Sequence, residues 1–192
     1  DLPGVGENLQ EHPGVHLVNN VSAHTLNDDS RGLAGVKQVL ALAIARTGAL
    51  TTGIGHAQAF VKSREGLAAP NLQLAFSAFA FDVTDKGNLA LRRESSVSTF
   101  VALMRPQSRG RITLRSADAD APPRIEHLLL GQEDDVEQLI DGLQIARTIM
   151  AQPAIAPQVK YEVRPGGQLT TREQLGFYVR AATIPMFHPV GT

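Results

Sequence analysis

The run Ser98-Thr99-Phe100-Val101-Ala102-Leu103-Met104, then Arg105-Pro106-Gln107-Ser108-Arg109-Gly110, then Arg111-Ile112-Thr113-Leu114-Arg115, holds the clearest strand signal in this 192-residue chain. β-Branched and aromatic residues fill the first part. In the last part Ile112 and Leu114 alternate with Arg111, Thr113 and Arg115, and the six residues between contain the Pro and Gly that turns use. The pattern predicts a hairpin with one wet face. Working outward, Ala57 to Val61 and Leu72 to Phe81 also read as strands. In the second, Leu72, Leu74 and Phe76 share one alternating face and Gln73, Ala75 and Ser77 the other. Val15, Leu17 and Val21 mark a further strand.

Helical spacing appears in three places. Leu33, Val36, Leu40, Ala43, Ile44 and Thr47 recur at intervals of three and four up to Gly48, a residue suited to a helix stop. Gln132 to Ala151 sets Val136, Leu139, Ile140, Leu143, Ala146, Ile149 and Met150 on one stripe, with Glu133, Asp134 and Asp135 at the positive N-terminal end. Thr171 to Ala182 predicts a shorter helix opened by a capping box of Thr170 and Glu173, with Pro185 barring continuation. The first thirteen residues carry two Pro and two Gly and read as turns and extended linker. Strands and helices mixed without regular alternation favour an α+β domain with an antiparallel sheet over a doubly wound parallel one.

Composition narrows the function classes. A formal net charge of -1 and 5% aromatic residues provide neither a basic field for phosphates nor rings for stacking bases, so nucleic acid is not an expected partner. The absence of cysteine excludes a disulfide framework and thiolate metal sites. The apolar run Leu33 to Ala45, broken by Lys37 and Gln38, falls short of the roughly 20 residues that cross a bilayer. It reads as a buried helix, and no membrane span is expected. Composition leaves the compartment open and favours a soluble, cytoplasmic protein. No signal peptide or initiator Met opens the sequence, which therefore reads as cut from a longer one.

Taken residue by residue, the chemistry is faint. Six histidines, at 12, 16, 24, 56, 127 and 188, lack paired metal spacing. Gly4-Val5-Gly6 resembles the start of a dinucleotide loop, but Leu9 stands at the third glycine position and no strand precedes it, so a turn is the simpler reading. Arg105, Arg109, Arg111 and Arg115 form either an anion site or, more simply, solvated strand and turn residues. His188, between Phe187 and Pro189, is an ordinary half-buried histidine or a base.

Three blocks, in this order, resemble the glucose-methanol-choline (GMC) oxidoreductases, and among them the choline dehydrogenase-like members. The first is Asp1-Leu2-Pro3-Gly4-Val5-Gly6-Glu7-Asn8-Leu9-Gln10-Glu11-His12-Pro13, where Glu11 replaces the family's usual Asp. The second is Arg105 to Ser116, followed by Ala121-Pro122-Pro123-Arg124-Ile125 and the helix ending Ala151-Gln152-Pro153-Ala154. The third is Phe187-His188-Pro189-Val190-Gly191-Thr192, similar to the family's active-site motif. The resemblance implies a six-stranded antiparallel sheet backed by helices, divided into a connecting segment 1–13, a substrate-binding domain 14–182 and an active-site segment 183–192.

It also implies the chemistry. His188 is expected to act as the base that takes the alcohol proton while hydride passes to flavin N5. An imidazole has the proton affinity for this, its ordinary pKa being about 6.5. FAD is expected to be held by a separate Rossmann-like domain outside these residues, so this chain is expected neither to bind FAD tightly nor to turn over alone. A second His or Asn of the site, in the family's pattern, lies beyond Thr192. Met186 and Phe187 are expected to line an apolar pocket for a small alcohol. His56 aligns with a glutamate that pairs with the ammonium of choline in choline-oxidising relatives. Without that anion choline is disfavoured, and His56 is either a substrate contact or a plain strand residue. The rival reading is a non-catalytic α+β module that binds a partner or small ligand.

Overall fold

β-Branched and apolar residues at alternate positions draw Pro13–Val21 into a long strand, β1, at the centre of the molecule. The computed structural model describes residues 2–84 and 88–192. After β1 come two helices, α1 (Leu26–Asp29) and α2 (Gly32–Leu40), the latter continued by a π-helical turn over Ala41–Ala45. Strands β2 (Ala57–Val61), β3 (Leu72–Ser77), β4 (Phe81–Val83), β5 (Leu89–Leu91) and β6 (Ser96–Leu103) follow, then β7 (Arg111–Thr113) and β8 (Arg124–Glu126). The chain closes with α3 (Glu133–Met150), β9 (Val159–Arg164), α4 (Arg172–Ala182) and β10 (Ile184–Pro185). The fold is α+β. Its main sheet has six strands in the order β10-β1-β6-β3-β2, with β9 sharing the β10 edge of β1, and all its pairings are antiparallel.

One face of the sheet packs on α3 and α4. Val15, Leu17, Leu72, Leu74, Val101 and Leu103 meet Val136, Leu139, Ile140, Leu143, Ala146 and Met150 of α3 and Leu175 and Val179 of α4. The stripe foreseen on α3 is this contact, except that Ile149 stays 39% exposed. Each fully buried aliphatic side chain contributes roughly 1.5–3 kcal/mol. Gly142 allows the close approach: a Cβ there would lie 2.5 Å from Cγ1 of Val101. Across the opposite face leans the β4–β5 hairpin. Asn27, fully buried, anchors the base of that hairpin by donating to the carbonyls of Ala80 and Arg92 and accepting from the Ala80 N–H.

Four local expectations are corrected. The strand Arg111–Thr113 pairs with Arg124–Glu126, not with Ser96–Leu103. Both edges of β6 are already taken, by β1 and by β3, so no hairpin can close there. The strand foreseen from Leu72 to Phe81 breaks after Ser77, where Ala78 to Ala80 turn the chain into the overlying hairpin. The helix 33–45 forms but is not buried: neither α2 nor its π-turn contains a buried residue. It stops at Arg46, in left-handed conformation at φ 53°, two residues before Gly48. The capping box of α4 is built from Thr171 and Gln174, one residue later than foreseen. Among the described residues, no helix is long and apolar enough to cross a membrane.

Candidate active site

The N-terminal segment is a strap rather than a free linker. Leu9 and Gly110 exchange backbone hydrogen bonds at 3.0 and 2.8 Å, and the Ile112 N–H donates to the Gly6 carbonyl at 2.7 Å. Gly6 has φ +85°, and a Cβ there would sit 2.1 Å from the Ile112 carbonyl oxygen, so its glycine serves close packing. Gly4-Val5-Gly6 is thus a turn, as its sequence suggested, and not a phosphate cradle.

Beyond Leu9 the strap carries the C-terminal segment. Gln10 and Val190 exchange backbone hydrogen bonds at 2.8 and 2.9 Å, and the Met186 N–H donates to the His12 carbonyl at 3.0 Å. Pro13 and Gly14 then pair with Pro185 and Ile184. Between these two sets of bonds the chain takes a left-handed step at Phe187, φ +63°, an uncommon conformation for a large side chain. Gly191 closes the segment against the Asn8 carbonyl, from which a Cβ would be only 2.3 Å away.

Glu11 ties this arrangement together. Its carboxylate is buried, and one oxygen, Oε1, accepts the backbone N–H groups of His12 at 2.7 Å and His188 at 3.0 Å. The His12 and His188 rings stand edge to face with centroids 5.6 Å apart. Burial and the neighbouring His188 ring lower the His12 pKa, against an upward pull from Glu11 and from a ring hydrogen bond to the Met104 backbone carbonyl. Nδ1 of His12 is buried without a partner. His188 itself is exposed, with Phe187 and Val190 exposed on either side and Met186 half-buried.

His56 lies elsewhere, just before the outer strand β2. Its N–H donates to the Phe76 carbonyl, its Nδ1 accepts the Ala78 N–H at 3.3 Å, and its ring stands edge to face with Phe79, which in turn stands edge to face with Phe81. No hydrogen bond or ring contact joins His56 to Met186, Phe187 or His188 among the described residues. Of the four residues singled out in the sequence, three therefore share one segment and the fourth stands three strands from β1. Neither Glu11 as a bridge nor Asn27 as an anchor was visible beforehand. The sequence clue to Glu11 was only a carboxylate preceding His-Pro.

Two of the arginines around 105–115, Arg109 and Arg111, take structural roles. Arg109 donates to Asn8 Oδ1 at 2.9 Å and to the Pro106 and Ser108 carbonyls, fastening the loop to the strap, and Arg111 pairs with Glu126.

The fold, a six-stranded antiparallel sheet backed by helices, is shared with parts of solved oxidoreductase structures. Formate oxidase of Aspergillus oryzae RIB40, in its R554A variant, superimposes with a TM-score of 0.83 at 22% identity over 98% of this chain and 37% of that one. Pyridoxine 4-oxidase from Mesorbium loti gives 0.76 at 17% identity over 100% of this chain and 33% of that one. These likenesses speak for the fold.

Residues 106–192 match the GMC oxidoreductase family model. An oxygen-dependent choline dehydrogenase of Photobacterium profundum is 35% identical over 98% of this chain and 33% of its own length. An alcohol dehydrogenase (acceptor) of Pseudomonas putida is 31% identical over 100% of this chain and 35% of its own length. By the family model over residues 106–192 and by these relatives over nearly its whole length, the chain is similar to the GMC oxidoreductases. It spans about a third of the length of the curated relatives it matches.

Proposed function

We propose that this chain is the substrate-binding part of an FAD-dependent oxidoreductase acting on the CH–OH group of an alcohol, with His188 as the base. The observation that carries this reading is the segment 186–190, paired to the strap at Gln10 and His12 and tied by its His188 N–H to the buried Glu11 carboxylate. Such double fastening holds an exposed imidazole in a fixed place, which a proton acceptor needs. The exposed apolar side chains beside it, Phe187 at 81% and Val190 at 62%, suit coverage by a second domain.

The residues present fit the reacting end of FAD and not its phosphates. The paired His12 and His188 rings and the unpartnered Nδ1 of His12 offer polar groups for a flavin ring and an alcohol oxygen. The one Gly-x-Gly of the strap is closed against Ile112. A Rossmann-like domain of the same protein is accordingly the proposed holder of the cofactor, and this chain alone is proposed to bind FAD weakly and to be inactive. When bound, FAD supplies the hydride acceptor. His188 takes the alcohol proton, which leaves the oxygen negatively charged and the carbinol hydride easier to release. Met186 and Phe187 exclude water from that step and set an apolar wall against the alcohol.

Among the choline dehydrogenase-like members, this one is proposed to act on an alcohol other than choline. A histidine at 56 gives no anion for a quaternary ammonium, and Phe79 and Phe81 beside it favour an uncharged carbon chain or ring. The test is anaerobic mixing of the full-length protein with a panel of alcohols while flavin reduction is followed. His188→Ala should slow reduction about a hundredfold or more with flavin content unchanged, and His56→Ala should shift the preference among alcohols. An undiminished reduction rate without the His188 ring overturns the assignment.

A further inference from the structure

His188 is fastened by its backbone and not by its ring. Its N–H is held by the Glu11 carboxylate, while its imidazole makes no hydrogen bond among the described residues. A base with two ring nitrogens needs the second one fixed, because the first meets a substrate correctly only at a set ring angle and in a set tautomer. Beside it, His12 has the complementary gap. Its ring donates to the Met104 carbonyl and its Nδ1 is buried without a partner, so the donating nitrogen is Nε2. A neutral imidazole carries one ring proton, which leaves Nδ1 a bare acceptor. Buried acceptors left unpaired are costly and rare. Nδ1 has essentially no accessible surface within these residues, so a side chain from elsewhere in the protein does not reach it. What does stand next to it is the His188 ring, edge to face with centroids 5.6 Å apart. Ring nitrogens lie roughly 1.1 Å from the centroid, so two turned toward each other at this separation come within hydrogen-bond reach, about 3.5 Å. His188 is exposed and its terminal torsion is soft, whereas His12 is held at Nε2. The turn therefore falls to His188.

We propose, on the reading of His188 as the base, that His12 is its positioning residue: Nδ1 of His12 accepts the second ring N–H of His188, and this bond tightens when His188 takes the alcohol proton. The exposed ring meets the alcohol, and the enclosed ring meets the exposed one. In the step itself the alcohol O–H bond breaks, an N–H bond forms on the outer nitrogen of His188, and the hydride leaves the carbinol carbon for the flavin. The proton count of His12 does not change. His188 becomes an imidazolium, and a hydrogen bond from a charged donor is about twice as strong as one from a neutral donor. The contact thus stabilises the reacting state more than the resting one. The titratable groups acting on the His12 ring are His188 and the buried Glu11 carboxylate. Burial and His188 outweigh the pull of Glu11 and keep His12 neutral, as an acceptor must be.

Two substitutions separate this role from a structural one. His12→Gln can reach the Met104 carbonyl with its amide but has no acceptor where Nδ1 stands, whereas His12→Asn places an oxygen near Nδ1 and gives up the Met104 contact. The measurement is the rate of flavin reduction by an alcohol in the full-length flavoprotein, followed anaerobically against pH. His12→Gln should lower the plateau about tenfold or more and move its rising limb down by roughly half to one pH unit, since an imidazolium without its acceptor gives up its proton more readily. His12→Asn should recover most of the rate with the limb near its wild-type position, and flavin content should hold in both. A wild-type plateau and limb in His12→Gln overturns the proposal. So does a loss in His12→Asn as large as that in His12→Gln, the mark of a packing role. A structure of the flavoprotein with a bound alcohol analogue needs no variant: ring nitrogens of His12 and His188 within about 3.5 Å support the pairing, and a wider gap rejects it. Should His188→Ala reduce flavin at the wild-type rate, the reading of His188 as the base falls first. A slow His188→Ala beside an unaffected His12→Gln sinks the positioning role alone.

Discussion

The backbone N–H of His188 and that of His12 converge on the same atom, Oε1 of Glu11, at 3.0 and 2.7 Å. A single buried oxygen therefore fixes two histidine-bearing segments that lie far apart in the chain. Its role is that of an acceptor, and charge is secondary to it. Glu11→Ala should leave both N–H groups without a partner, let the His188 segment relax, and lower the rate constant for alcohol oxidation by about ten- to a hundredfold, a misplacement of the order of 1 Å being enough. Glu11→Gln keeps an oxygen in the same position and should restore most of the rate. The measurement is kcat and KM with flavin content as control: a kcat loss in Ala that Gln rescues marks a positioning residue. Wild-type kcat in Glu11→Ala would show that the bridge is idle.

Asp135 does for the second family block what Glu11 does for the third. Fully buried at the start of α3, it accepts the Gln107 N–H through Oδ1 and the Ser108 N–H and hydroxyl through Oδ2. This holds the Pro106–Gly110 loop against the helix N-terminus and, through Gly110, holds the strap. Asp135→Ala orphans three donors and should cost about 3 kcal/mol or more, hydrogen bonds to a buried charge being the expensive kind to lose. Asp135→Asn retains one acceptor and should fall between. A urea midpoint lowered at unchanged m-value is the expected readout. A midpoint equal to wild type in Asp135→Ala rejects it.

The contrast between these carboxylates and the helices shows what a sequence can carry. Val136, Leu139, Leu143, Ala146 and Met150 were legible because one face of a regular helix repeats at a fixed spacing, and the strands of the main sheet because their alternation is local. Alternation does not name a partner, which is why Arg111–Thr113 was read onto β6 although Leu72–Ser77 and Gly14–Asn20 already occupy its edges. Apolar content does not name a location either, so Leu33 to Ala45 was read as core. The site was legible only by resemblance. Phe187-His188-Pro189 has no local pattern that sets it apart, and the contact that positions it reaches across 177 residues.

His16 offers a test of the packing behind the sheet. It faces the ring of Phe100 at 4.7 Å and lines a cavity of about 330 Å³ with Arg164 and Tyr178. Burial first, and the nearby Arg164 guanidinium second, lower its pKa to about 4. The sign follows from proton counting. In the unfolded chain His16 takes a proton as pH falls through about 6.5, while in the folded chain it stays neutral down to about 4, so the unfolded state binds more protons in that window. The stability associated with neutral His16 is fully present above pH 6.5 and is lost as pH falls toward 4, by on the order of 3 kcal/mol. His16→Gln does not titrate. Its unfolding midpoint should change less between about pH 7 and about pH 4.5 than that of wild type, whose extra loss is the His16 contribution. Equal pH slopes in the two proteins would mean that the ring is protonated in place and that the pocket around it admits water.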